Sequence, residues 1–147
     1  MGDVIGSITT TGERVVIFND YSPPYRLIRI SQEDIAKVSE GRVNPHYEHD
    51  LTLPLGVLPS EIRLVCSIPF GEGVKAYVGR VSPYKERGFY IDAAELDRIG
   101  EWRNPPETCF LPLDSRYNKI RLEVECKKTP EDGLLFLLVD FRYLTTT

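Results

Sequence analysis

The sequence predicts a mainly β fold of antiparallel strands with two short helices and an internal duplication, and three observations carry that expectation. Apolar residues recur with a period of two in several runs, helical spacing is confined to two short stretches, and the two halves of the chain align in register. With 147 residues, 41% of them hydrophobic, the chain fits a single domain able to bury a compact core, which excludes a disordered chain.

The duplication is read first because it organises everything else. Residues 30–45, ISQEDIAKVSEGRVNP, lie on residues 91–105, IDAAELDRIGEWRNP, with one single-residue gap. Upstream, Ser22-Pro23 matches Ser82-Pro83 and Arg26 matches Arg87. Downstream, Leu53-Pro54-Leu55 matches Leu111-Pro112-Leu113, and Ile62-Arg63-Leu64 matches Ile120-Arg121-Leu122. The matches keep their order at separations of 58 to 61 positions, which defines two repeats, about 14–68 and 74–126, within a single domain spanning 1–147. Pseudo-two-fold symmetry is the expected consequence, in a barrel or a sandwich.

Each repeat reads as strand, strand, helix, strand, strand. Apolar runs at 15–18, 27–30, 51–55 and 62–68 predict strands, and runs at 74–81, 88–91, 109–113 and 120–126 repeat them. In the last, Ile120, Leu122, Val124 and Cys126 alternate with Arg121, Glu123, Glu125 and Lys127, the pattern of a half-buried antiparallel strand. Ser31 with Asp34, and Asp92 with Glu95, place an N-cap and an acid at the third helical position, where free amides and the helix dipole favour them. Ile35 with Val38, and Leu96 with Ile99, give each helix a narrow apolar stripe, and Gly41 and Gly100 supply the stops. Residues 4–10 and 134–143 add terminal strands, the second entered through the turn at 129–133. Gly71-Glu72-Gly73 reads as a hairpin turn.

Composition restricts the functional classes. No apolar run approaches the ~20 residues of a membrane helix, and Met1-Gly2-Asp3-Val4 lacks a secretory signal's basic start and apolar core. No membrane partner is expected and cytoplasmic residence is. Cys66, Cys109 and Cys126 form no CxxC pair and are odd in number, so reduced thiols are expected, Cys66 and Cys126 inward and Cys109 nearer the surface. A net charge of −4 gives no overall basic field, so a nucleic-acid role requires a local patch.

The repeated unit resembles the cradle-loop barrel group. Val74-Lys75-Ala76-Tyr77-Val78-Gly79-Arg80-Val81, the stretch 87–96, and the strands at 109–113 and 120–125 are similar to the swapped-hairpin AbrB and MraZ DNA-binding family, in which two such units interlock into one barrel. The chain departs from that family where Arg87-Gly88 reverses a Gly-Arg strand opening and where Ser31 and Asp92 replace proline. Phe89-Tyr90-Ile91-Asp92, an apolar strand end followed by an acid, also resembles the double-psi barrel of AAA unfoldase N-terminal domains. These resemblances imply a barrel that serves DNA binding, adaptor binding or decarboxylation.

For duplex DNA the candidate residues are Arg26, Arg29, Lys75, Arg80, Lys85 and Arg87, on the first two strands of each repeat and their loops. They compete with the reading of a solvated mixed-charge strand face, since 18 basic residues are outnumbered by 22 acidic ones. Tyr21, Tyr25, Tyr84 and Tyr90 offer stacking surfaces or caps for a barrel end. His46-Tyr47-Glu48-His49-Asp50 is the one cluster with metal-ligand chemistry. His46 and His49 are its candidates, but the stretch reads as a solvated loop with no third nitrogen or sulfur ligand placed by spacing, so no metal or cofactor is expected. Catalytic motifs are lacking, and Asp20, Asp50, Asp92 and Asp114 are the carboxylates that burial would have to tune. The expectation is a non-enzymatic binding protein, most concretely DNA-binding. A protein-interaction module or structural subunit that oligomerises is the alternative, and a small barrel enzyme the third reading.

Overall fold

A computed structural model describes residues 4–8, 13–18, 24–39, 44–81, 86–110 and 119–143, the first two stretches by their backbone. Among the described residues, ten strands and one helix follow in chain order: β1 (Val4–Ile8), β2 (Glu13–Phe18), β3 (Tyr25–Ser31), α1 (Gln32–Ser39), β4 (His46–Thr52), β5 (Val57–Ile68), β6 (Lys75–Arg80), β7 (Glu86–Glu95), β8 (Gly100–Arg103), β9 (Lys119–Glu125) and β10 (Leu134–Tyr143).

The strands pair antiparallel into a six-stranded sheet, β1-β2-β3-β10-β5-β8, and a four-stranded sheet, β4-β9-β6-β7. Alternation decides how the sheets meet. Ile28 and Ile30 of β3, Ile62, Leu64 and Cys66 of β5, and Leu135, Leu137, Val139 and Phe141 of β10 are at most 1% exposed, so one face of the large sheet is dry. Leu51 of β4, Ala76 and Val78 of β6, and Ile120, Leu122 and Val124 of β9 are buried to the same degree on the small sheet, and all belong to one core. The two sheets therefore pack face to face as a sandwich. Each keeps two outer strands, and closure into a barrel is not found among the described residues.

Helix α1 carries the chain from β3 in the large sheet to β4 at the edge of the small one. Its start follows the sequence: the Asp34 carboxylate accepts from the Ser31 backbone N–H at 2.7 Å and from the Ser31 hydroxyl at 3.0 Å. Its buried stripe is Ile35 and Ser39, one turn apart, with the Ser39 hydroxyl donating to the Ile35 carbonyl. Val38, expected inward, is 40% exposed.

Several expectations need correction. The second helix is absent: β7 runs through Glu95, and residues 96–99 turn into β8. The ladder wins over the local helix signal because it satisfies backbone groups along β6 and buries Ile91 and Ala94. It continues as Leu96 N–H donates to the Val74 carbonyl at 2.9 Å, while Ala93 at φ 51° lies outside the helical region. Leu96 is buried but Ile99 is 72% exposed in that turn. The stretch read as a solvated loop, 46–50, is instead most of β4, paired along β9 from His46↔Glu125 to Thr52↔Lys119. Gly71-Glu72-Gly73 is a turn but not a hairpin, since it joins β5 and β6 of different sheets.

Among the described residues, the common topology expected of the repeats is not found either. In the first, β3 and β5 flank β10 in the large sheet and β4 lies in the small one, whereas β6, β7 and β9 of the second share the small sheet. Residues 109 and 110 are not in a strand, 111–113 fall outside the described residues, and β8 was not foreseen. No described helix is long and apolar enough to cross a membrane.

Candidate functional site

Two outer faces of the sandwich carry chemistry, and strand register builds both. On the small sheet, β4 directs His46, Glu48 and Asp50 outward, since Leu51, of the opposite strand parity, is buried in the core. Antiparallel pairing sets Glu48 opposite Glu123 and Asp50 opposite Arg121 of β9, and β6 continues the rows with Tyr77 opposite Glu123 and Lys75 opposite Glu125. Two carboxylates directly across from each other repel, and two arginines relieve this pair. Arg121 Nη1 is 3.8 Å from Glu48 Oε2, and Arg87 Nε is 3.6 Å from Glu123 Oε2. The other oxygens face His46, whose Nε2 is 3.2 Å from Glu48 Oε1 and 3.3 Å from Glu123 Oε1. These three donor atoms all lie within 4.8 Å of one another.

Both arginines have closer partners elsewhere. Arg87 Nη2 is 2.6 Å from Glu125 Oε2, and its guanidinium lies 3.7 Å from the Tyr77 ring centroid. Arg121 donates to both oxygens of Asp50. His49, the second histidine considered from the sequence, lies on the other side of β4 because three residues along a strand reverse the face. Its Nδ1 is 3.5 Å from the hydroxyl of Tyr47, which packs against the core. Burial, helped by the charge of Asp34, pushes the Tyr47 phenol up to about 12.

The large sheet's outer face differs in kind. Strand β10 is apolar on both sides: Leu134, Phe136 and Leu138 face outward and are half-buried. Register surrounds them with further apolar side chains. Leu138 is opposite Leu27, Phe136 opposite Val65, and Leu134 opposite Ile68, which is 39% exposed. Charges of both signs border this strip. Arg63 lies 3.6 Å from Glu61 and 3.9 Å from Asp140, and Arg103 lies 3.2 Å from Glu61 and 3.1 Å from Glu101. Burial raises the Asp140 carboxyl above its ordinary value, with Arg63 opposing and Glu61 adding to the shift.

The described residues proposed for DNA do not all share a surface. Arg29 stands exposed on the outer face of the large sheet, opposite Phe136, while Lys75 and Arg87 belong to the outer face of the small sheet. Arg80 lies 4.2 Å from the Phe89 ring centroid. Arg26 shares the strand parity of Ile28 and Ile30, and its Nε is shielded from solvent without a hydrogen-bond partner. Lys85 lies outside the described residues, as do Tyr21, Tyr84, Asp20 and Asp114. Tyr90 is a core residue stacked on Phe110 at 5.5 Å. Asp92 is exposed.

Where the chain passes from β5 to β6, Phe70, Val74 and Pro130 line an open cleft of about 640 Å³. Its carboxylates, Glu72, Glu131 and Asp132, are exposed, so burial does not tune them for acid–base chemistry. Sequence reasoning missed Glu123 as a partner of His46 and the outer apolar strip of β10. The signal for the strip was present, because 134–139 is apolar without alternation, which a strand with one solvated face would not be. No family model matches this chain, and no curated protein matches it in sequence.

Proposed function

We propose that this chain is a non-enzymatic protein-interaction module that pairs with a second copy of itself through the outer face of its six-stranded sheet. The observation that carries this reading is the apolar strip Leu27, Leu138, Phe136, Val65, Leu134 and Ile68, bordered by charges of both signs. An apolar centre with a polar rim is the anatomy of a protein interface. The rim favours a second copy over a strongly charged partner, because Arg63 and Arg103 already pair with Glu61, Asp140 and Glu101, and exposed Arg29 by itself makes no one-signed field. A two-fold axis through the strip would set apolar side chains of the two copies against each other. Duplex phosphates would ask for converging basic groups, whereas Arg29 stands on one outer face and Lys75 and Arg87 on the other.

Sedimentation equilibrium over a wide concentration range tests this. The chain is expected to reach twice its 16.8 kDa monomer mass. Leu138→Arg and Leu27→Lys, both outward positions, should each leave the far-ultraviolet circular dichroism unchanged and the protein monomeric. A wild-type chain that stays monomeric at hundreds of micromolar overturns the reading, and salt-sensitive binding of labelled duplex by that monomer would restore the DNA alternative.

A further inference from the structure

On the opposite face, and independently of self-association, we propose that His46, Glu48 and Glu123 form a binding site for one divalent transition-metal ion, with His46 Nε2 and the Oε1 atoms of Glu48 and Glu123 as its ligands. Spacing is the first ground. An ion with bonds of about 2.0–2.2 Å and tetrahedral or octahedral angles holds its ligand atoms roughly 3.0–3.5 Å apart. His46 Nε2 stands 3.2 and 3.3 Å from the two oxygens.

The second ground is an orphaned atom. His46 Nε2 is shielded from solvent, yet it makes no hydrogen bond to either carboxylate despite their proximity. An imidazole nitrogen that served only to bridge the two carboxylates would be expected to aim its N–H at one of them. It is therefore a shielded ring nitrogen beside two carboxylates with no hydrogen bond to either, a donor that an ion could use.

The arginines supply the third ground, because each takes the far oxygen of one carboxylate. Arg121 is near Glu48 Oε2 and Arg87 near Glu123 Oε2, so both Oε1 atoms are turned toward His46. Outer partners that orient ligands in this way are a regular feature of metal sites. Their closer ties to Asp50 and Glu125 keep the guanidinium groups off the ligand oxygens. One imidazole with two carboxylates is a borderline donor set, suited to zinc and its first-row neighbours rather than to magnesium or calcium. Three protein ligands leave the remaining positions to water or to a partner's side chain.

Titration calorimetry of the full chain with zinc chloride at neutral pH, with circular dichroism to verify folding, tests the site. A single-site isotherm is expected, weakened at least tenfold by His46→Ala and by Glu123→Gln and unchanged by His49→Ala. In parallel, ¹⁵N spectra of the histidine rings should show zinc shifting the Nε2 resonance of His46 and not that of His49. The assignment is overturned if zinc does not bind at hundreds of micromolar, or if it binds equally well to the His46 and Glu123 variants. A His46 ring whose resonances ignore zinc overturns it equally.

Discussion

Arg121 and Asp50 face each other across the pairing of β9 with edge strand β4, and the guanidinium donates from Nε to Oδ1 at 2.6 Å and from Nη2 to Oδ2 at 3.0 Å. Two parallel bonds of this kind fix register as well as adding energy. The Arg121 hydrogen bonds hold the Asp50 carboxyl below its ordinary 3.8, against a smaller opposing effect of burial. A carboxylate whose pKa is depressed on folding stabilises the protein above its unfolded value, and that contribution is lost as pH falls through the folded value. Asp50→Asn should therefore cost about 0.5–1 kcal/mol at neutral pH, the modest figure proper to a pair that solvent partly screens. Urea unfolding of both proteins should show the difference shrinking toward zero in strong acid.

The cysteines differ in a way a thiol reagent can read. Cys66 and Cys126 are buried on the inner faces, whereas Cys109 is exposed. Burial pushes the Cys126 thiol up to about 11, with the charge of Glu125 adding to it, and raises Cys66 likewise. Mass spectrometry of native protein treated with iodoacetamide should find rapid modification of Cys109 alone, and of all three after denaturation. Fast labelling of Cys126 in the native protein would mean that β9 has the wrong register.

Gly133 is a position where only glycine fits. Its φ is 146°, and a Cβ built there would overlap Cδ2 of Phe70, a core ring, while its carbonyl accepts from Gln32 N–H at 3.0 Å. Gly56 shares a positive φ of 76°, but a Cβ there meets nothing within 4 Å. Both Ala variants carry backbone strain, and Gly133→Ala adds overpacking of about 1–3 kcal/mol. Thermal melts should rank Gly133→Ala clearly below Gly56→Ala.

How much was legible in the sequence follows from which forces were local. Strand β10 matches its expected limits, and β9 its alternation, because the pattern of Ile120, Leu122 and Val124 records burial directly. The Ser31 and Asp34 cap was legible because both partners lie within one turn. Residues 92–99 misled because Asp92, Glu95, Leu96 and Ile99 give a good local helix signal, which pairing with the distant β6 overrides. Strand β4 was hidden for the opposite reason. As an edge strand with a polar outer face it offers Leu51 as its one fully buried apolar side chain, too little alternation to be seen. The proposed metal-ion site was half legible, since His46 and Glu48 are neighbours but Glu123 joins them only through a pairing between distant strands.

The central claim, that two copies meet through the outer face of the large sheet, is tested most directly by intermolecular contacts in a sample that mixes isotope-labelled and unlabelled chains. Isotope-filtered nuclear Overhauser spectra should show the methyl groups of Leu27 and Leu138 close to the Phe136 ring of another copy, with no such contacts from Tyr77 or Arg87 on the small sheet. Intermolecular contacts confined to the small sheet, or their absence at millimolar concentration, would contradict it.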